Sequence, residues 1–487
     1  MARSEFKFPA GTHPADALLN RRIVEFAKRQ GRHAFLVGGY IRDALIKQKS
    51  LVPIASSKDL DYAIAEGPAF SLAQTLAPIV DGHFVPLDEA NDTARIVLTD
   101  GTTLDFAGCV GGDIESDIKR RDFSINALYW DPERPQVLID LVGGVADIEA
   151  KLIRALDESA FLEDPLRILR AYRFAATLDF AIEPNTLAWL ARHNRKLEHV
   201  AAERVNHELF TTLGVPTTGS LLLDMGASGV LETIFPELAE TRQVTDNAFH
   251  HLALFEHSLE TVIQLEKTWA ERCQWPSTNL QEELSFGVTR LAALKLAALL
   301  HDIGKPKTWV ITPEGKHTFI GHDRLGEEMA GSIAERQKWA RPVERFVSRM
   351  IKWHLRPGQL FHQGVPSQKA VYRFYRNIGR DLPELILLAL GDLGATRGPM
   401  MQGGKNEELR TFLFELLDGF DVFSRESQKI PKLLDGQEIM QLLNIKPGPI
   451  VGELIAALAE AQEFKEVSNR LEAERFVAEL YQRRRQD

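Results

Sequence analysis

Only two of the 487 residues are cysteine, Cys109 and Cys273, too few for a disulfide framework or a zinc ribbon. A reducing, cytoplasmic setting is the expectation that follows. Long hydrophobic runs are missing too: no stretch approaches the ~18–20 apolar residues that cross a bilayer. The opening Met1-Ala2-Arg3-Ser4-Glu5-Phe6-Lys7 lacks a signal peptide's apolar segment, so no membrane is expected among the partners. Positive charge is not in excess either. The formal net charge of −10 argues against wholesale non-specific nucleic-acid binding but leaves room for a local basic groove. No internal repeat or low-complexity segment stands out. What is present is an ordinary soluble composition, 44% hydrophobic and 26% charged, over a length too great for one core. Three or four domains are expected.

The chemistry gathers between Phe35 and Ile64. An apolar strand over residues 34–37 runs into Gly38-Gly39 and an amphipathic turn carrying Arg42 and Asp43. After a Ser- and Pro-containing loop, Lys58-Asp59-Leu60-Asp61-Tyr62-Ala63-Ile64 alternates polar and apolar residues like a half-buried strand. Side chains two apart on a strand share a face, so Asp59 and Asp61 project together. That pair is costly unless a cation lies between them. Gly-Gly at a strand-to-helix junction lets backbone N–H groups approach an anion. Taken singly, one is a turn and the other a surface doublet. Together, a phosphate cradle beside a two-carboxylate cation site points to metal-assisted phosphoryl or nucleotidyl transfer.

These residues resemble the class II tRNA nucleotidyltransferase and poly(A) polymerase family. Its opening signature, Gly-Gly-x-x-Arg-Asp then Asp-x-Asp, stands here as Gly38-Gly39-Tyr40-Ile41-Arg42-Asp43 and Asp59-Leu60-Asp61. Helices are expected over residues 15–30 and 69–76, and strands over 83–87, 95–99 and 102–107, with Asp100-Gly101 marking a hairpin. On the last strand Asp105 is either a third carboxylate facing the pair or an ordinary strand-face residue, because sequence does not set register. Residues 119–128, containing Arg121-Asp122-Phe123-Ser124-Ile125-Asn126, match the family's second motif with Ser124 where Thr is usual. The resemblance implies that Gly38, Gly39, Arg42, Arg121, Asp122 and Asn126 hold the nucleotide's triphosphate and sugar. Guanidinium suits phosphate oxygens, and carboxylate and amide suit ribose hydroxyls.

Beyond Gly144 the strand signals fade into helical periodicity. In Glu163-Asp164-Pro165-Leu166-Arg167, Pro165 predicts a helix start, with Asp164, Arg167, Arg170 and Arg173 along one stripe. The pattern alone equally describes a solvated face. The resemblance makes it the family's nucleobase-reading motif, with side chains as template. Cytosine and adenine present an amino donor beside a ring-nitrogen acceptor. A carboxylate only accepts and a guanidinium only donates, so Asp164 with Arg167 fits C and A and leaves G and U unpaired. Ala202-Glu203-Arg204-Val205 resembles the family's last core motif and is expected to be structural.

A new region is expected from about Val244. The doublet His301-Asp302 follows an apolar helical segment, with His257 upstream and His322, His354 and Asp392 downstream. This constellation resembles the HD phosphohydrolase superfamily, with His257, His301, Asp302 and Asp392 as matching metal ligands. His322 and His354 are further ligands for a second metal or for phosphate. Imidazoles with carboxylates suit Mn, Ni, Fe or Zn better than Mg. In the tail, Gly403-Gly404-Lys405 is expected to be a linker, and residues 433–452 resemble the tRNA-binding C-terminal segment of HD-bearing members. Arg483-Arg484-Arg485 is read as a solvated run.

The expected architecture is α+β. A small, mostly antiparallel nucleotidyltransferase palm (1–145) is followed by an all-helical neck (146–240), an HD domain (241–400) and a helical tail (401–487). The resemblance implies nucleotidyl transfer from CTP or ATP to a tRNA 3′ end, with Asp59, Asp61 and Asp105 catalytic and two Mg²⁺ ions on Asp59 and Asp61. Two alternatives stand: a poly(A) polymerase of the same family, and an HD-type metal phosphohydrolase whose first half merely binds nucleotide or RNA. In family members that add C, C and A, a mobile loop follows the third-carboxylate strand and acts as a lever. Here only Gly108-Cys109-Val110-Gly111-Gly112 separates that strand from Asp113. This resembles the CC-adding branch, which leaves the terminal A to a separate A-adding enzyme, unless residues 86–92 supply the lever.

Overall fold

The computed structural model describes residues 3–5, 17–48, 59–134, 137–244, 252–272, 279–362, 364–396, 403–427 and 431–486. Lys58, the loop before it and Cys273 lie outside them. The chain divides into two units, Met1–Pro236 and Glu237–Asp487.

The first unit is built on an eight-stranded sheet in the order β1-β8-β7-β2-β3-β6-β5-β4. The strands are β1 (Arg3–Glu5), β2 (His33–Val37), β3 (Asp59–Ala65) and β4 (Gly82–Asp88), then β5 (Thr93–Leu98), β6 (Thr103–Gly108), β7 (Leu128–Trp130) and β8 (Val137–Asp140). Every neighbouring pair is antiparallel except β3 with β6. The expected hairpin joins β5 to β6, with Gly101 at φ +82°. Helices α1 (Ala17–Arg29), α2 (Gly39–Gln48) and α3 (Ala69–Leu76) sit among these strands, near their expected places.

Alternation along β3 decides what each face does. Leu60, Tyr62 and Ile64 are each about 1% exposed, and the Tyr62 hydroxyl donates to Asn20 on α1. On the other face Ala63 and Ala65 join Phe35, Val37 and Tyr129 in a core closed by Ile118 of α4 (Ile114–Lys119). Asp59 and Asp61 lie on that same face, where the apolar cover has ended. Sheet geometry thus places carboxylates at the rim of a core rather than inside it.

Beyond the sheet come helices, including α5 (Arg167–Leu178) and α6 (Ala202–Leu213), which pack on each other. This part is not wholly helical, as had been expected. Leu152–Ile153 pairs in parallel with Ala181–Ile182, a two-residue ladder that needs no more sequence signal than two apolar positions in each strand.

In the second unit α7 (Leu254–Glu271), α8 (Arg290–Leu300), α9 (His322–Arg336), α10 (Arg341–Trp353) and α11 (Leu382–Ala395) form the bundle. Two glycines allow its close contacts. A Cβ on Gly391 would lie 2.8 Å from the Thr261 carbonyl oxygen of α7, and one on Gly304 would lie 2.3 Å from that of His322. The expected linker at Gly403-Gly404-Lys405 is instead the first turn of α12 (Gly403–Ser427). First-turn N–H groups need no intrahelical partner, so glycine there costs less than in a helix interior. Residues 433–481 close a separate small core around Ile439, Leu454 and Val477, with a capping box between Asp435 and Glu438.

Candidate active site and metal centre

In the first unit, strand register assembles the carboxylates. Asp61 stands opposite Asp105 and Asp59 opposite Thr103 across the parallel β3–β6 pair. Asp105 therefore faces the pair, one of the two placements the sequence left open. The Thr103 hydroxyl donates to Asp59 Oδ1 at 2.5 Å. Arg95 of β5 bonds Asp105 through both oxygens, Nε to Oδ1 at 2.7 Å and Nη2 to Oδ2 at 2.8 Å. Burial first, and the Asp105 charge second, push the Asp61 carboxyl up to about 6. Clustered anions with a raised carboxyl are what a divalent cation would relieve, and an all-oxygen donor set fits one. Gly38, at φ +77°, closes the other side: a Cβ there would stand 2.9 Å from Asp61 Oδ2. Gly39 opens α2, so its N–H lies at a helix N-terminus.

The cleft over these carboxylates encloses about 510 Å³. Asp61 and Asp105 form one wall; Arg120, Arg121, Asp122, Asp164, Arg167, Arg170 and Arg204 line the rest. The second motif is held in a bonded net. Asp122 Oδ1 accepts from Phe123 N (2.8 Å) and Asn126 Nδ2 (3.1 Å), and Asp122 Oδ2 accepts from Arg170 Nε (3.0 Å) and Nη2 (2.7 Å). Asn126 Oδ1 accepts in turn from Arg42 Nη1 at 2.7 Å. Arg121 donates to the Tyr129 hydroxyl at 2.6 Å and to Asp117 at 3.0 Å. Arg42 and Arg173 do not line the cleft. Their guanidinium groups lie 5.0 and 4.0 Å from the Phe174 ring centre, and Arg173 donates to buried Glu208 of α6 at 2.5 Å.

One expected arrangement needs correction. Asp164 is not on the helical stripe, because α5 begins at Arg167 and Asp164 is extended at φ −136°, ψ 96°. Its carboxylate accepts from Leu166 N at 3.2 Å and from Arg204 Nη2 at 3.0 Å. Arg167 donates instead to the carbonyls of Arg120 (2.9 Å) and Ala160 (3.3 Å). The two are neighbours in one cleft, not a bonded pair. Arg204, expected to be structural, is exposed and lines that cleft with them.

In the second unit six side chains converge. His257 comes from α7, His301 and Asp302 follow α8, His322 opens α9, His354 follows α10, and Asp392 lies on α11. The close packing that Gly391 permits brings Asp392 Oδ1 to 3.0 Å from His257 Nε2 and 3.7 Å from His301 Nε2. Asp302 has two sides. Oδ2 lies 3.2 Å from His301 Nε2 and 2.6 Å from Lys305 Nζ, while Oδ1 lies 3.2 Å from His322 Nε2 and 3.5 Å from His354 Nε2. Two ligand triads result, His257-His301-Asp302 and Asp302-His322-His354, all buried. His301, His322 and His354 each turn Nδ1 to a backbone carbonyl, of Ala298 (2.8 Å), Phe319 (2.7 Å) and Ile351 (2.6 Å). An N–H there leaves the Nε2 lone pair facing inward, the form a metal takes. Burial opposes ionisation of Asp302, yet His301 and Lys305 hold its carboxyl well below the usual range. A divalent metal fits both triads.

The molecule matches known families in the same order. Residues 93–154 match the poly A polymerase head domain, 179–241 the probable RNA and SrmB-binding site of polymerase A, and 254–392 the HD domain. The A-adding tRNA nucleotidyltransferase of Deinococcus radiodurans is 34% identical over 91% of this chain and 94% of its own. The chain belongs to the tRNA nucleotidyltransferase family. The CC-adding member of Geobacter sulfurreducens is 33% identical over 94% of both chains. A Thermotoga maritima CCA-adding enzyme solved with tRNA shares the fold, with a TM-score of 0.62 at 21% identity over 95% of both chains. Among the described residues no helix is long and apolar enough to cross a membrane.

Set against the family's motifs, the residues missed by sequence were Arg95, Arg120, Arg204 and Glu208. Arg120 stood in plain view beside Arg121. Arg95 meets Asp105 ten residues on, across a hairpin whose register sequence does not set, while Arg204 and Glu208 act through partners 40 and 35 residues away that no local pattern announces.

Proposed function

We propose that the first unit adds cytidylate to the 3′ end of tRNA from CTP with two Mg²⁺ ions, and leaves the terminal adenosine to a separate A-adding enzyme. Residues 1–145 serve as palm, 146–240 as the base-reading neck, and 401–487 as part of the tRNA-holding body. The observation that carries nucleotidyl transfer is the cleft itself, with Asp61 and Asp105 on one wall and arginines with Asp164 on the other. In the reaction the tRNA 3′ oxygen bonds to the α-phosphorus, the bond to pyrophosphate breaks, and the hydroxyl proton leaves to solvent or base. Bound divalent ions acidify that hydroxyl and neutralise the leaving pyrophosphate. Asp59, Asp61 and Asp105 would hold them. Asp122 and Asn126, already bonded to Arg170 and Arg42, and Arg121, held by Tyr129 and Asp117, would receive triphosphate and sugar without reorganising. Asp164 and Arg167 present one acceptor and one donor to C or A, with Arg204 beside them.

Stopping after CC is supported by the connections near Asp105. Residues 109–113 form one tight turn, in which Gly112 N bonds the Cys109 carbonyl at 3.0 Å and Glu66 N bonds that of Gly112 at 3.3 Å. The other lever, residues 86–92, is tied down: Asp92 accepts from the N–H groups of Ala69 and Phe70, each at 2.8 Å, and Asp88 from Asn91 at 2.7 Å. Incubation of trimmed tRNA with CTP and ATP, followed by sequencing of the 3′ ends, tests this. Ends in CC support it, ends in CCA overturn the CC reading alone, and ATP-only tails favour the poly(A) polymerase.

A second reading is carried by the six-residue cluster, buried at all but Asp392. There a transition metal would be held for hydrolysis of phosphomonoesters or 2′,3′-cyclic phosphates, and assays with Mn²⁺ and Ni²⁺ test it. No turnover with any divalent transition metal would leave the cluster as scaffold.

A further inference from the structure

Arg95 belongs to none of the motifs that carry the family resemblance, yet it is built into the carboxylate site. Strands β5, β6 and β3 lie side by side, and their register lines up Arg95, Asp105 and Asp61 in one row. The guanidinium meets Asp105 as a fork, at 2.7 Å to Oδ1 and 2.8 Å to Oδ2. Such a contact fixes the carboxylate plane, which a single donor does not. It uses one lone pair on each oxygen and leaves the other free. The side chain is 40% exposed and Asp105 29%, so the pair stands at the rim of the cleft and not in the core. Arg121 also acts on Asp61 through its charge, but the direct two-point contact on Asp105 is made by Arg95.

We infer that Arg95 is a positioning residue for nucleotidyl transfer: its fork sets the orientation of the Asp105 carboxylate toward the divalent cation, and its charge limits how tightly that cation is held. This rests on the nucleotidyl-transfer reading of the cleft. Arg95 acts through Asp105. Two properties of one side chain, charge and planarity, separate under substitution. Arg95→Met removes both. Arg95→Lys keeps the charge and loses the fork.

The test uses full-length protein and Mn²⁺, with free aquo-Mn²⁺ read by electron paramagnetic resonance in the absence of tRNA and nucleotide. The HD cluster is the same in all variants, so differences from wild type report the palm, and Asp59→Asn defines the palm's share of binding. Removing one positive charge close to the cation should tighten palm binding in Arg95→Met by about three- to tenfold. At saturating Mn²⁺ its kcat for CTP addition should fall roughly tenfold, because a misaligned ligand costs rate even when the metal is bound. Arg95→Lys should bind Mn²⁺ like wild type and stay slow. Full recovery of kcat in Arg95→Lys would overturn positioning by the fork, and unchanged Mn²⁺ binding in Arg95→Met would overturn the charge role. Parallel loss of Mn²⁺ binding and melting temperature in both variants would reduce Arg95 to a structural residue. If wild type adds no nucleotide to tRNA while the Mn²⁺ shifts appear, the reaction assignment fails and the hold of Arg95 on the cation site stands.

Discussion

The two candidate metal-binding clusters of this chain are made by opposite means. In the palm, carboxylates project from neighbouring strands at the edge of an apolar face, and strand register alone brings them together. In the HD region, imidazoles and carboxylates come from five helical segments and meet where glycines let backbones approach. The palm site is open, all oxygen, and partly balanced by Arg95. The HD site is largely buried and rich in nitrogen, and His301, His322 and His354 are locked from behind by backbone carbonyls. An open oxygen site suits ions that come and go with a nucleotide. A buried nitrogen site suits an ion that stays.

If the contrast is real, the sites should fail independently. Asp59→Asn or Asp61→Asn should cost nucleotide addition ~3–5 kcal/mol in barrier, or roughly 10²–10⁴ in rate, with tRNA binding and metal content of the HD site unchanged. Near-normal turnover in either variant would remove the palm assignment. His301→Ala with Asp302→Ala should abolish tightly bound transition metal and hydrolysis, by roughly 10²-fold or more, and leave CTP addition intact. Elemental analysis after dialysis reads this directly, and retained metal would break the comparison from the HD side.

A smaller effect sharpens the base-reading neck. Arg167→Ala should relax discrimination against UTP and GTP by ~1–3 kcal/mol while triphosphate-dependent binding persists. Competition between labelled nucleotides measures it, and unchanged selectivity would take base choice away from this residue.

The smallest effect is on stability. The Asp61 carboxyl is raised to about 6 from an ordinary 3.8 in the metal-free fold. Protonation thus favours the folded state, a stabilisation complete below about pH 4 and lost as pH rises through 6. At neutral pH without metal the Asp61 charge should cost ~1–2 kcal/mol, discounted for partial exposure. Asp61→Asn should therefore melt higher than wild type at pH 7.5 and equally at pH 4. A higher melting point at both would point to packing instead of charge.

The strands and their carboxylates were legible because a period of two leaves little freedom: once residues 59–64 alternate, Asp59 and Asp61 must share a face. The HD cluster was legible because the His301-Asp302 doublet ends an apolar helix, with a histidine upstream and an aspartate downstream. What sequence withheld was pairing at a distance. The Asp164–Arg204 bond spans 40 residues and Arg173–Glu208 spans 35. Local spacing instead put Asp164 on one helical stripe with Arg167, a place that an extended residue before the helix does not take. Gly403-Gly404 misled in the same way: glycine signals a break by itself, but the first turn of a 25-residue helix tolerates it.

The β5–β6 hairpin has a consequence for the order in which the palm is made. Arg95 and Asp105 are ten residues apart, so their contact needs only a short loop, whereas Thr103 and Asp59 are 44 apart and wait for the parallel β3–β6 closure. Loop-closure entropy favours the hairpin first. Asp105 is then already matched with a cation when Asp59 and Asp61 arrive, which lowers the repulsion that docking has to overcome. The palm can close its sheet before any metal is present. Pulse-labelled hydrogen exchange during refolding would record this as protection at Ile96 ahead of Tyr62, and simultaneous protection would count against it.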